Sequence, residues 1–415
     1  MVRVLLLIPT TSYRAADFLA AAERMGIEVA IGSNHFQALD HVNRGLTLDF
    51  ANTLGSVHSI AAFARDFPLT AIVPSDDESV LLAAEASRAL GLRQNSPKTV
   101  AATRDKYRQR MLWQAAGLLM PTFRRLPRGC DIDSAAESVT YPSVLKPLAL
   151  SASRGVLRVN NAKQFRKAYA RIAKILNGIP SSSSTSGEIL AEDYIPGHEV
   201  AVEGLLVNGG LQVVALFDKP DPLVGPAFEE TLYVTPSRLP DHVQQAVFET
   251  TEKGVEVLGL HEGPIHAELR VNDRGIWLIE VASRSIGGLC SRTLRFGAGI
   301  SLEELVLRHA LGQSVDGLRR EHRAAGVLML PIPRPGILRR VDGVLEARGV
   351  AGVEDVTISI PLGQEVIPPP EGERYLGFIF ARADLPAAVE SALRKAHAQL
   401  TFDIAPLAQE RHLTA

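Results

Sequence analysis

A chain of 415 residues that is 46% hydrophobic and 22% charged can bury sizeable cores in about two to four domains. Its net charge of −2 offers no basic field to nucleic acid or an anionic membrane. Two cysteines, Cys130 and Cys290, are too few and too far apart for a disulfide framework or a zinc site, so a reducing cytoplasm is expected.

The apolar run at residues 2–9 predicts a buried strand, the alanine-rich stretch 14–25 a helix, and 28–32 a second strand. The rhythm repeats with a helix near 56–67, a strand at 70–74 and a helix at about 78–90 stopped by Gly91. This alternation implies a small parallel-sheet domain. No G-x-G-x-x-G follows the first strand and no Walker A sequence occurs, so neither dinucleotide binding nor a P-loop is supported. A helix is expected from about 99 to 116, ended by Gly117, with Pro121 opening a new unit. Strand, helix and strand follow to about 195, with 141–147 as one strand, 162–176 as the helix and the serine-rich 181–187 as a loop. Alternating strands and a helix at 243–259 fill the next stretch. Beyond 325, β-like segments at 326–331, 356–360 and 375–382 and a helix at 385–400 suggest a small α+β unit. No run of about 18 apolar residues suggests a membrane span.

The strongest local signal is a hairpin with two carboxylates. If Asp273, Arg274 and Gly275 form a three-residue loop, Asn272 pairs with Ile276 and Glu268 falls opposite Glu280. Like charges directly opposite destabilise a strand pair, so a bridging divalent cation would explain them. A slipped register would instead place them on opposite faces. Lys146 ends an apolar strand and is followed by Leu150 to Val156, whose small residues, Ser151 and Ser153 included, let backbone N–H groups approach phosphate. A flexible hairpin loop would look the same. Lys106 alone reads as one cation on a solvated helix face. The segment from Glu192 through Ile195 to Glu199 could offer backbone groups to a purine and a carboxylate to ribose hydroxyls, or be an acidic turn. Arg284 follows Glu280 closely and could hold a carboxylate bidentately or form a structural ion pair.

As an ordered set these residues resemble the ATP-grasp superfamily, and the resemblance covers nearly the whole chain. It implies an ATP-grasp fold of mixed α/β and α+β class, divided as an N-terminal domain (1–120), a small lobe (121–195), a large lobe with the metal hairpin (196–320) and a C-terminal α+β subdomain (321–415). It implies ATP held by Lys106, Lys146, Ser151, Ser153, Glu192, Ile195 and Glu199, with Leu278 as an adenine floor. Mg²⁺, or Mn²⁺ in its place, would sit on Glu268 and Glu280, and Arg284 would steady the reacting carboxylate. Within the superfamily the chain looks most like the L-amino-acid ligases, through Glu229-Glu230-Thr231-Leu232-Tyr233 and the following Pro236. Glu230 is then implied to bind a substrate amino group. Tyr233 stands where that subfamily has histidine, and Ala282 where many ATP-grasp enzymes have a metal-binding asparagine. The implied function is an ATP-dependent carboxylate–amine ligase working through an acyl phosphate on small acids and amines, as a homodimer. The rivals are a biotin-carboxylase-like or purine-pathway ligase and a non-catalytic ATP sensor.

Overall fold

A computed structural model describes residues 2–35, 45–179 and 187–407; residues 181–186 of the expected serine-rich loop lie outside that set. The N-terminal unit is a parallel sheet in the order Gly45–Thr47, Glu28–Ser33, Arg3–Leu7, Ala71–Pro74. Every residue of Arg3–Leu7 is buried because helices cover both faces. Val4 and Leu6 pack with Phe18 and Leu307, whereas Leu5 and Leu7 pack with Ile60 and Leu82. The carboxyl ends of these strands lead into Pro9, Tyr13 and Asp76 to Glu78, which line a cleft, the usual ligand position on such sheets.

The single helix expected at 99–116 is two, Pro97–Thr103 and Lys106–Ala115. Asp105 interrupts it by acting as a cap, accepting the Arg108 N–H at 3.0 Å. The break makes Lys106 the first residue of the second helix, turned into the cleft.

A four-stranded antiparallel sheet follows, in the order Phe123–Leu126, Ile189–Asp193, Ser143–Pro147, Leu157–Val159. It packs through Leu145, Leu157 and Ile189 onto Phe165 and Ile172 of the helix Ala162–Asn177. The largest sheet has eight antiparallel strands, running Gly275–Ala282, Gly263–Asn272, His198–Val207, Gly210–Asp218, Leu232–Thr235, Ala324–Leu330, Gly377–Ala383, Val353–Ile358. The last three strands, expected in a separate C-terminal unit, therefore continue this sheet. One face of its hairpin end is sealed by the helix Asp241–Leu258, leaving the other toward the cleft. Among the described residues no helix is long and apolar enough to cross a membrane.

Candidate active site

The cleft between the small and large sheets, closed at one end by the N-terminal unit, collects the residues singled out above with one exception. The hairpin pairs Glu268 with Glu280, but by a route different from the expected one. The loop has two residues, so Asn272 pairs with Gly275, and the register then shifts by a bulge between Leu269↔Leu278 and Glu268↔Glu280. Ile279 is the extra residue. The bulge corrects the register that the shorter turn would otherwise have shifted. It also decides the fate of Leu278, which is wholly buried in the core and lies 3.1 Å from the position a Cβ on Gly254 would take. Leu278 is thus no floor of the cleft; Ile279 and Glu280 line it instead.

Both lysines are buried at about 5% exposure, which removes the solvated-face reading of Lys106. Its ammonium donates to the Leu150 carbonyl at 2.7 Å and lies 3.0 Å from Glu280 Oε1. Lys146 pairs with Glu192, whose other oxygen is 2.6 Å from Arg110 Nε. Burial pushes the Glu192 carboxyl up, but Arg110 and Lys146 outweigh it and hold it below the usual carboxylate range. Burial, reinforced by Arg110, holds the Lys146 ammonium below its ordinary value. The Glu192 side chain, expected on the nucleotide, is therefore occupied in fixing Lys146. Arg110 also donates to the Ile279 carbonyl at 2.5 Å, tying the small sheet to the bulge.

At the centre of the acidic cluster stands Lys219, which the sequence reading passed over. Its Nζ is 2.8 Å from Glu199 Oε1 and 2.8 Å from Glu268 Oε1, and it also pairs with Glu230. Burial would lower the Lys219 ammonium, but the three carboxylates raise it well above the ordinary lysine value. Glu230 is pushed up to about 7, by burial first and by neighbouring Glu268 and Glu199, against the pull of Lys219. Glu199 is further held by Arg270 Nε at 2.8 Å. Tyr233 is buried beside this cluster with Lys219 Nζ 5.0 Å from its ring centre, and burial drives its hydroxyl well above the ordinary value. One oxygen from each of Glu199, Glu230 and Glu268 lies within 4.8 Å of the others. These hard oxygen donors, sharing one ammonium, fit a magnesium site, with Glu280 the cross-strand neighbour of Glu268.

Arg284 faces the cleft but is not free. Its Nε and Nη2 hold Asp77 Oδ2 at 3.1 and 2.7 Å, and Nη1 donates to the Ser285 carbonyl at 3.0 Å. Burial raises Asp77, and Arg284 with Arg104 and Lys106 more than reverses this, leaving it below its ordinary value. His266, also unforeseen, bridges Glu203 and Glu268, its Nε2 lying 3.5 Å from the latter. Burial opposes its charge, but the two glutamates raise it to about 9. Signals for the missed residues existed. Lys219-Pro220 after an apolar strand repeats the pattern of Lys146-Pro147, and Asp77 opens the helix that follows a parallel strand.

A cleft between two α+β lobes that presents buried lysines, a paired-glutamate hairpin and an adjacent arginine defines an ATP-grasp protein. Family models agree: an ATP-grasp N-terminal domain matches residues 19–93, an ATP-grasp domain 139–293, and an L-amino acid ligase C-terminal domain 2 residues 328–405. Alanine–anticapsin ligase from Bacillus subtilis is 27% identical over 321 residues, 72% of this chain and 67% of the relative. The crystal structure of L-amino acid ligase from Bacillus licheniformis superposes with a TM-score of 0.86 at 25% identity, covering 98% of this chain and 99% of that one. N5-carboxyaminoimidazole ribonucleotide synthetase from Thermotoga maritima shares the fold alone, at TM-score 0.72 and 16% identity over 98% of this chain and 100% of that one. The chain has the ATP-grasp fold, with ATP-grasp models matching residues 19–93 and 139–293. Within it, the protein's structure resembles that of an L-amino acid ligase over 98% of the chain, and it is an ATP-grasp ligase that makes carbon–nitrogen bonds.

Proposed function

We propose that the protein joins an amino acid, through its carboxylate, to an amine in an ATP-dependent reaction that passes through an acyl phosphate and releases ADP and phosphate. The observation that carries this reading is the meeting of Lys106, Lys146, Glu268, Glu280 and Arg284 in one cleft. A carboxylate oxygen of the acid attacks the γ-phosphorus, ADP leaves, the amine nitrogen attacks the acyl carbon, and phosphate departs as the amine gives up a proton.

The chain's own residues bind, orient and exclude water. Lys106 and Lys146 supply fixed positive charge for the phosphates, already desolvated and held in place by Glu280 and Glu192, so little reorganisation is needed as the phosphoryl moves. Glu268 and Glu280 would hold Mg²⁺, with Glu199 and Glu230 close to Glu268; the ion would offset charge on the transferring phosphoryl. Arg284 keeps its guanidinium at the cleft through Asp77, placed to meet the acid's carboxylate. Glu230 and Tyr233 sit deeper, beside Lys219, where Glu230 would receive a substrate amino group. Leu223, Phe228 and Tyr194 line the same cleft beside Ile195 and would cover the adenine end. A cytoplasmic location and a homodimer belong to this reading.

The test is incubation with Mg-ATP and a panel of amino acids and amines, with phosphate and condensation products measured together. Product and phosphate in equal amounts support the ligase. Bicarbonate-dependent ADP formation without an amide product would favour the carboxylase-like rival instead.

A further inference from the structure

The small-residue loop that follows Lys146 is fastened to a segment more than two hundred residues later in the chain. The Gly155 N–H donates to the Pro370 carbonyl at 2.8 Å. Arg154 donates from Nε to the Glu371 carbonyl at 3.1 Å and from Nη1 to Glu373 Oε2 at 3.2 Å. From the helix behind the loop, Arg171 grips the Glu371 carboxylate with two prongs, at 2.5 and 2.8 Å. Gly155 has a φ of +74°, and a Cβ there would come within 2.8 Å of Pro147 Cγ, so the loop closes tightly against the end of the Lys146 strand.

The segment does not stop at this fastening. Its next residues, Arg374 and Tyr375, line the same cleft as Ser151 and Ser153, and the Tyr375 N–H reaches the Tyr13 hydroxyl of the N-terminal unit at 3.4 Å. One stretch of chain, residues 370–375, thus touches the phosphate-side loop at one end and lines the cleft at the other.

We propose that Arg154, Arg171 and Glu371 are positioning residues that clamp the phosphate-side loop onto segment 370–375, so that closure over ATP is completed together with the part of the cleft wall that this segment forms. The proposal rests on the ligase reading given above. An acyl phosphate is lost to any water that reaches it, so a clamp joining the two halves of the site keeps phosphoryl transfer coupled to amide formation. The ion pairs are partly exposed and individually weak, which lets the lobe open in each cycle to release product.

The experiment compares wild type, Arg171→Glu, Glu371→Arg and the double charge reversal in the full-length protein. It measures amide exchange at residues 151–155 with and without a non-hydrolysable ATP analogue, and the ratio of amide to phosphate with the substrate pair that gives product. Each single reversal should speed exchange in the loop, raise the KM for ATP by roughly three- to fivefold and lower the amide-to-phosphate ratio, and the double reversal should restore most of both. Wild-type exchange and ratio in the single variants, or no recovery in the double, would overturn the clamp. Absence of analogue binding by the wild type would sink the ligase reading instead, while exchange of the nucleotide-free loop would still score the clamp.

Discussion

Arg284 and Asp77 lie 207 residues apart in the chain and meet at 2.7 Å, which makes the N-terminal unit a working part of the cleft. Asp77 is the first residue of the helix Asp77–Leu90, fixed by the Asp76–Ser79 capping box. Replacing Asp77 by Asn removes the charge that anchors the guanidinium fork. A charge-assisted hydrogen bond contributes roughly 1.5–3 kcal/mol. Asp77→Asn should therefore lower kcat/KM for the acid substrate at least tenfold with the KM for ATP little changed, as steady-state kinetics with each substrate varied will show. Because Asp77 titrates below its ordinary value, the pair is present above that value and is lost only as pH falls through the lower folded one. Any decline in activity between about pH 5 and 6 must then arise elsewhere.

Lys219 pairs with three glutamates at once. Lys219→Met strips one cation from all three, leaving Arg270 on Glu199 and His266 on Glu268, and removing one member of a buried ionic cluster costs about 3–5 kcal/mol. Denaturant unfolding in chelator should show a loss of that order. Added Mg²⁺ should recover part of it by binding the same carboxylates. A variant as stable as wild type, or one indifferent to Mg²⁺, would speak against a cation site at Glu268.

Much of this site was legible because its chemistry sits at the ends of apolar strands, where a lysine or a glutamate stands out. The pairing of Glu268 with Glu280 was foreseen, although the turn and the bulge that produce it were not; the two differences offset each other in register. Leu278 was misplaced for the same reason, since one extra residue reverses which side chains face the core. Lys219 escaped notice because its partners Glu199, Glu230 and Glu268 lie 20, 11 and 49 residues away, and only the eight-stranded sheet brings them together. The ion pair of Arg284 is likewise a contact between units, invisible to local pattern. The C-terminal strands read correctly as strands, but nothing local says that Ala324–Leu330 pairs with Leu232–Thr235.

Lys146→Met and Glu280→Gln should each reduce turnover by about 10²-fold or more, the scale seen when preorganised transition-state charge is removed. The fold should survive in both. Glu192 keeps Arg110 when Lys146 is lost, and Lys106 keeps the Leu150 carbonyl when Glu280 is neutralised. Thermal unfolding should therefore shift little while activity collapses; a variant that retained most of its activity would refute the assignment of that residue.

His266 predicts a pH dependence of stability in the metal-free, nucleotide-free protein. Its folded pKa of about 9 lies above the ordinary 6.5 because Glu203 and Glu268 outweigh burial. A raised basic group contributes fully below the unfolded value and loses that contribution as pH rises through the folded one. Stability should thus fall by up to about 3 kcal/mol between pH 6.5 and 9, and His266→Gln should flatten that slope. Equilibrium unfolding across this range is the check.

The most direct test of the central claim is a single assay with Mg-ATP and a mixed amino-acid pool, in which phosphate is counted and products are identified by mass spectrometry. An amide product should form in equal amount to phosphate and be abolished together with phosphate release in Lys146→Met. Phosphate release that no acid stimulates, or stimulated release with no amide formed, would contradict it.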